Sequence, residues 1–89
     1  MVEADQVSLA KQLMSLNPDR ILLDNFTPEQ VEDVVSERKR MGSKIPLEAS
    51  GGVTAERARA LAEAGADLIS VGSLTHSARA IDFALDWKK

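Results

Sequence analysis

Glu3, Asp24, Glu48 and Gly72 recur at intervals of 21, 24 and 24 residues, each near the carboxyl end of a short apolar run. The runs are Val2 to Ala4, Arg20 to Asp24, Ile45 to Ala49 and Leu68 to Val71, and the stretches between them have helical periodicity. A strand followed by a helical crossover fills about this length, and such crossovers are right-handed. Four consecutive βα units therefore predict an α/β fold with a parallel sheet. The 89 residues, 44% of them hydrophobic, suit one domain over 1–89 with modest burial.

Local signals agree with that grammar. Thr27 is placed to cap a helix, Pro28 fits its first turn, and Gln30 completes a capping box. Val31, Val34 and Val35 supply its apolar face, and Gly42 stops it. Thr54 is read as the cap of a later helix with inner face Ala58, Leu61 and Ala62, closed by Gly65. Leu9, Leu13 and Leu16 mark an earlier helix that ends before Pro18. From Ser73 to Lys89 the pattern fits strand and helix alike; a helix is expected because each preceding unit places one after its strand.

Composition narrows the function classes. The net charge of −3 lacks the basic face that nucleic-acid binding requires. With no cysteine, disulfides and thiolate metal sites are excluded. No apolar run approaches the roughly 18 residues of a membrane span. Met1 to Asp5 has neither the basic region nor the apolar stretch of a signal peptide, so a cytoplasmic protein is expected.

Ligands of parallel α/β folds bind beyond the carboxyl ends of the strands. Two loops there contain glycine and hydroxyl residues: Ser50-Gly51-Gly52-Val53-Thr54 and Val71-Gly72-Ser73-Leu74-Thr75-His76. Glycine lets backbone N–H groups approach an anion, and the next helix N-terminus adds partial positive charge. Ser50, Ser73, Thr75 and His76 offer further donors, although glycine at these points also serves simply to make tight turns. Glu3, Asp24 and Glu48 sit at matching ends of three strands and are candidates to converge on one mouth. Gathered carboxylates suit Mg²⁺, which bridges to substrate phosphates; surface acids or turn-forming groups are the alternative.

The strings Ile21-Leu22-Leu23-Asp24-Asn25-Phe26, Leu47-Glu48-Ala49-Ser50-Gly51-Gly52-Val53-Thr54 and Ile69-Ser70-Val71-Gly72-Ser73-Leu74-Thr75-His76-Ser77 together resemble quinolinate phosphoribosyltransferase. That family is also called nicotinate-nucleotide pyrophosphorylase (carboxylating). The resemblance covers essentially the whole chain and matches the C-terminal part of the family's barrel domain. It implies that Glu3 and Asp24 hold the divalent metal and face the ribose of phosphoribosyl pyrophosphate. It further implies that Ser50, Gly51 and Gly52 form one phosphate loop, that Gly72, Ser73 and His76 form the second, and that Glu48 lines the same cavity. The implied reaction joins quinolinate to phosphoribosyl pyrophosphate with Mg²⁺ and releases carbon dioxide, feeding NAD synthesis.

Departures from the family set further expectations. The N-terminal domain and earlier barrel strands, which supply the cations for quinolinate and pyrophosphate, have no counterpart in these residues. Arg20 begins its strand and is expected at the opposite rim. A dianionic substrate needs cationic partners, so no turnover is expected of this chain alone, and Mg²⁺ need not bind. Four βα units leave open sheet edges. Copies pairing into a homo-oligomer would cover them, as half of a (β/α) barrel; strand rearrangement into a flavodoxin-like layered sandwich is the alternative. An excised or engineered half-barrel that binds no ligand is the competing functional reading, and a subunit completed by a separate chain is a third.

Overall fold

The strand order separates the two architectures. In a computed structural model, which describes residues 1–50, 55–71 and 76–79, the elements are β1 (Val2–Ala4), α1 (Val7–Met14), β2 (Ile21–Leu23), α2 (Pro28–Met41), β3 (Leu47–Ser50), α3 (Ala55–Ala64), β4 (Leu68–Val71) and β5 (His76–Arg79). They form one sheet in the order β1-β2-β3-β4-β5, with β1 to β4 parallel. Sequential order with right-handed crossovers puts every connecting helix on the same face. The result is consistent with half of a (β/α) barrel. A flavodoxin-like sandwich reverses its strand order to place helices on both faces, so that alternative does not hold.

Burial follows the period of two expected of strands. Ala4, Ile21, Leu23, Leu47, Ala49 and Ile69 point toward the helices and are fully buried. The register pairs Glu3 with Leu22, Leu22 with Glu48, and Glu48 with Leu68, and these residues occupy the helix-free face. That face is mixed rather than apolar. Leu22 and Leu68 are half-buried on it among Arg20, Glu48 and Ser70.

Helix α2 forms as its sequence dictates. The Gln30 amide donates to Thr27 Oγ1 at 3.2 Å and the Thr27 amide donates to Gln30 Oε1 at 2.9 Å. Val31 and Val34 are fully buried. Gly42, at φ 68°, turns the chain out of the helix, and the Ser43 amide bonds back to the Arg38 carbonyl at 3.0 Å. Replacing Thr27 with alanine removes one half of this box and is expected to cost about 1 kcal/mol. Chemical denaturation with unchanged m-value would register the loss; a midpoint identical to the parent would contradict it.

Helix α1 buries Ala10 and Met14, with Val7 and Leu13 packed against the same core, whereas Leu9 is 37% exposed and Leu16, beyond the helix, is 73% exposed. Ala10 offers the sheet a small surface that permits close approach, and Met14, one turn on, fills the adaptable remainder. Residues 76–79 are not helical: β5 runs antiparallel to β4, pairing Val71 with His76 and Leu68 with Arg79. Residues 80–89 and Thr54 lie outside the described residues. No helix among the described residues is long and apolar enough to cross a membrane.

The amino ends of the strands are fastened by charge. Arg38 Nη1 donates to Asp67 Oδ2 at 2.6 Å and to the Ile45 carbonyl at 3.0 Å. Asp67 Oδ2 also accepts from the Leu47 amide at 2.9 Å, joining the end of α2 to the starts of β3 and β4. With the amino rim held this way, the carboxyl ends are left for ligands.

Candidate functional site

The first three strands each bring a different group to the carboxyl rim. Glu3 lies in β1 and Asp24 follows β2 on the same helix-free face, one pleat farther along. Both side chains are exposed, and both open on a shallow groove of about 270 Å³ lined also by Ala4, Asp5 and Leu9. The Asp24 amide donates to the Ala4 carbonyl at 2.8 Å, extending the β1–β2 ladder to this point. Asn25 then turns at φ 59°, a left-handed conformation that asparagine tolerates. Two larger hollows, of about 440 and 390 Å³, include Arg38 and Asp67 in one and Asp19 and Arg20 in the other. They lie at the amino ends of the strands, whereas ligands of this architecture bind at the carboxyl ends, so the smaller groove is the candidate site.

Ser50 closes β3 next to Asp24. Its hydroxyl accepts from the Asn25 amide at 2.9 Å and donates to Asp24 Oδ1 at 3.3 Å. Just beyond the first glycine loop, Arg57 Nη2 of α3 donates to the Phe26 carbonyl at 2.8 Å. The segment from Asp24 to Phe26 is thus fastened from β1, from β3 and from α3.

Glu48 has a different environment. It lies one pleat below Ser50, its residue is 4% exposed, and its Oε1 stands 3.3 Å from Arg20 Nη1. The Ser70 hydroxyl donates to its other oxygen. Arg20 therefore does not simply serve the opposite rim: it runs along the helix-free face from the start of β2 and reaches the neighbouring strand. Of the three acids read as converging, Glu3 and Asp24 share the groove, and Glu48 belongs to an Arg20–Glu48–Ser70 ladder across β2, β3 and β4.

Gly51, Gly52, Gly72 and Ser73 lie outside the described residues. His76 opens β5 opposite Val71, so it belongs to a strand and not to the loop before it. Among the described residues no group of three or more His, Asp or Glu is placed to hold a metal ion. Arg20, Ser70 and Arg57 were not singled out as site residues from sequence. The period of two would have revealed the first two, since it sets Arg20, Leu22 and Asp24 on the face shared by Glu48, Ser50 and Ser70.

Comparison with known proteins bears directly on these residues. The family model described as quinolinate phosphoribosyl transferase, C-terminal domain, matches residues 1–86. A probable nicotinate-nucleotide pyrophosphorylase [carboxylating] of Archaeoglobus fulgidus is 44% identical over 86 residues, covering 94% of this chain and 33% of that protein. The nicotinate-nucleotide pyrophosphorylase [carboxylating] of Mycobacterium leprae is 39% identical over 85 residues, covering 96% of this chain and 30% of its own length. The human protein of the same name is 36% identical over 84 residues, with 94% and 28% covered. The chain therefore spans about a third of the length of the curated relatives it matches. With the match over residues 1–86 and relatives 36–44% identical across nearly the whole chain, the chain belongs to the quinolinate phosphoribosyl transferase C-terminal domain family.

Proposed function

We propose that this chain carries the phosphoribosyl pyrophosphate side of a nicotinate-nucleotide pyrophosphorylase site and has no turnover by itself. The observation that carries the reading is the pair Glu3 and Asp24, two exposed carboxylates on neighbouring strands opening on one groove. Such a pair suits Mg²⁺, which takes one or two carboxylates and completes its shell with water and substrate phosphate oxygens. When bound, the metal supplies charge to offset the leaving pyrophosphate. Glu3 and Asp24 would hold it, and their negative charge favours a ribosyl carbon that becomes positive in the transition state.

Gly51, Gly52, Gly72, Ser73 and His76 are assigned to the phosphates, with Ser50 at the entry to the first loop and Glu48 beneath it. Among the described residues the groove is lined by Glu3, Ala4, Asp5, Leu9 and Asp24, none of them a cation that could meet the two carboxylates of quinolinate. That deficit supports the absence of turnover. Among the described residues β1 is an outer strand of the sheet, and pairing with a second copy there belongs to this reading, as do the cytoplasm and NAD synthesis.

Titration of the isotope-labelled chain with phosphoribosyl pyrophosphate and Mg²⁺, followed by amide NMR, tests the reading. Shifts confined to Glu3, Asp24, Ser50 to Val53 and Gly72 to His76 are expected. Asp24→Asn should remove the Mg²⁺ dependence, at least a tenfold loss for a direct ligand. A dispersed spectrum that does not move would instead make the chain a structural half-barrel that binds nothing.

A further inference from the structure

We propose that Ser50 is a positioning residue for Asp24, its hydroxyl orienting the carboxylate instead of donating to the substrate anion. The register that pairs Leu22 with Glu48 sets Asp24 beside Ser50 two residues later, on the same face and about 4.8 Å away across the ladder. A serine hydroxyl has one proton and two acceptor sites. Here the Asn25 amide fills an acceptor site at 2.9 Å, a well-formed bond that fixes the oxygen. The remaining direction of the proton is toward Asp24 Oδ1, at 3.3 Å. A hydroxyl engaged in this way has no proton left for a phosphate.

The fixed geometry has a reason. Asp24 is exposed and its neighbour Asn25 is in a left-handed turn, so without a tether the carboxylate would rotate freely in solvent. Ser50 binds both residues at once, holding the turn through the Asn25 amide and the carboxylate through its proton. Hydrogen bonds to a metal-binding group typically change affinity by about tenfold or more when removed. The metal part of this inference rests on the reading of Asp24 given above; the tether itself does not.

Ser50→Ala and Ser50→Thr, made in the full chain, test it with three readouts. Three-bond couplings to the Asp24 carboxyl carbon report its rotamer, amide exchange reports the Asn25 hydrogen bond, and Mn²⁺ binding by electron paramagnetic resonance reports the site. In Ser50→Ala the Asp24 rotamer should average, Asn25 exchange should quicken about tenfold, and Mn²⁺ affinity should fall about tenfold. Ser50→Thr, which keeps the hydroxyl, should restore all three. An Asp24 rotamer and an Asn25 exchange rate unchanged in Ser50→Ala would overturn the proposal. So would a loss of inorganic phosphate affinity with Asp24 still fixed, which would make the hydroxyl an anion donor. A parent chain that binds no Mn²⁺ would sink the metal reading alone, because the rotamer and exchange measurements decide the tether by themselves.

Discussion

Gly65→Ala should lower stability on the order of 3 kcal/mol, combining left-handed backbone strain with overpacking. Gly65 adopts φ 117°, and an alanine Cβ there would stand 2.8 Å from Val35 Cγ2 and 3.1 Å from Val35 Cγ1. Real Cβ atoms essentially never approach a methyl that closely, so the Val35 side chain, α3 or the turn must shift. The chain leaves α3 at this point, with the Ala66 amide bonding back to the Leu61 carbonyl at 3.2 Å, a closure that a displaced turn would strain. For a domain of this size the unfolding midpoint should drop roughly 10–25 °C. Gly42→Ala is the control: its φ of 68° carries the backbone penalty, but nothing lies within 4 Å of the added carbon. It should cost about 1 kcal/mol. Val35→Ala in the Gly65→Ala background should recover part of the loss. Equal losses at Gly42 and Gly65 in thermal melts would show that contact with Val35 contributes nothing.

Gly65 also shows what the sequence makes legible. Turn chemistry is local, so the capping box at Thr27, the stop at Gly42 and the close of α3 at Gly65 could each be read from a few neighbouring residues. The spacing of strand ends made the parallel units readable for the same reason, because every crossover has nearly the same length. Sheet order was not readable in this way: the same four units fit a sequential half-barrel and a layered sandwich until pairing is known. Which residues of α1 face inward was not legible, because Leu9 and Leu13 are as apolar as Ala10 and Met14, and tertiary packing decides among them. β5 was missed for a related reason. Its antiparallel pairing with β4 is set by the neighbouring edge, not by its own four residues.

The site divides along the same line. Glu3 and Asp24 were expected near the carboxyl ends of their strands, and both line one groove. The grouping of Glu48 with them was not resolvable in sequence. One pleat along a strand separates an exposed rim position from a buried one, and strand ends are uncertain by at least that much. Ser50 was recognised as a hydroxyl near an anion loop, but the Asn25 amide that engages it comes from the neighbouring strand, 25 residues away.

The Arg20–Glu48 pair should show strong, non-additive coupling. Breaking a buried ion pair from one side typically costs 3–5 kcal/mol because a charge is left behind. Here the Glu48 side chain is 6% exposed, but that of Arg20 is 37% exposed, so water takes part of the lost interaction. Arg20→Met should therefore cost about 2 kcal/mol, and Ser70→Ala about 1 kcal/mol through its hydrogen bond to the same carboxylate. Removing both charges together, as Arg20→Met with Glu48→Met, should restore most of the parent stability, since apolar replacements of a buried pair are often neutral or better. A double-mutant cycle in denaturant measures this; strictly additive losses would mean the two groups do not interact. The same double variant separates two roles for Glu48. If phosphoribosyl pyrophosphate shifts the amides of the double variant as it does those of the parent, Glu48 acts on its own sheet. If the shifts at Ser50 to Val53 disappear while the fold remains, the carboxylate also serves the ligand, and the ladder from Arg20 and Ser70 is what holds it in place.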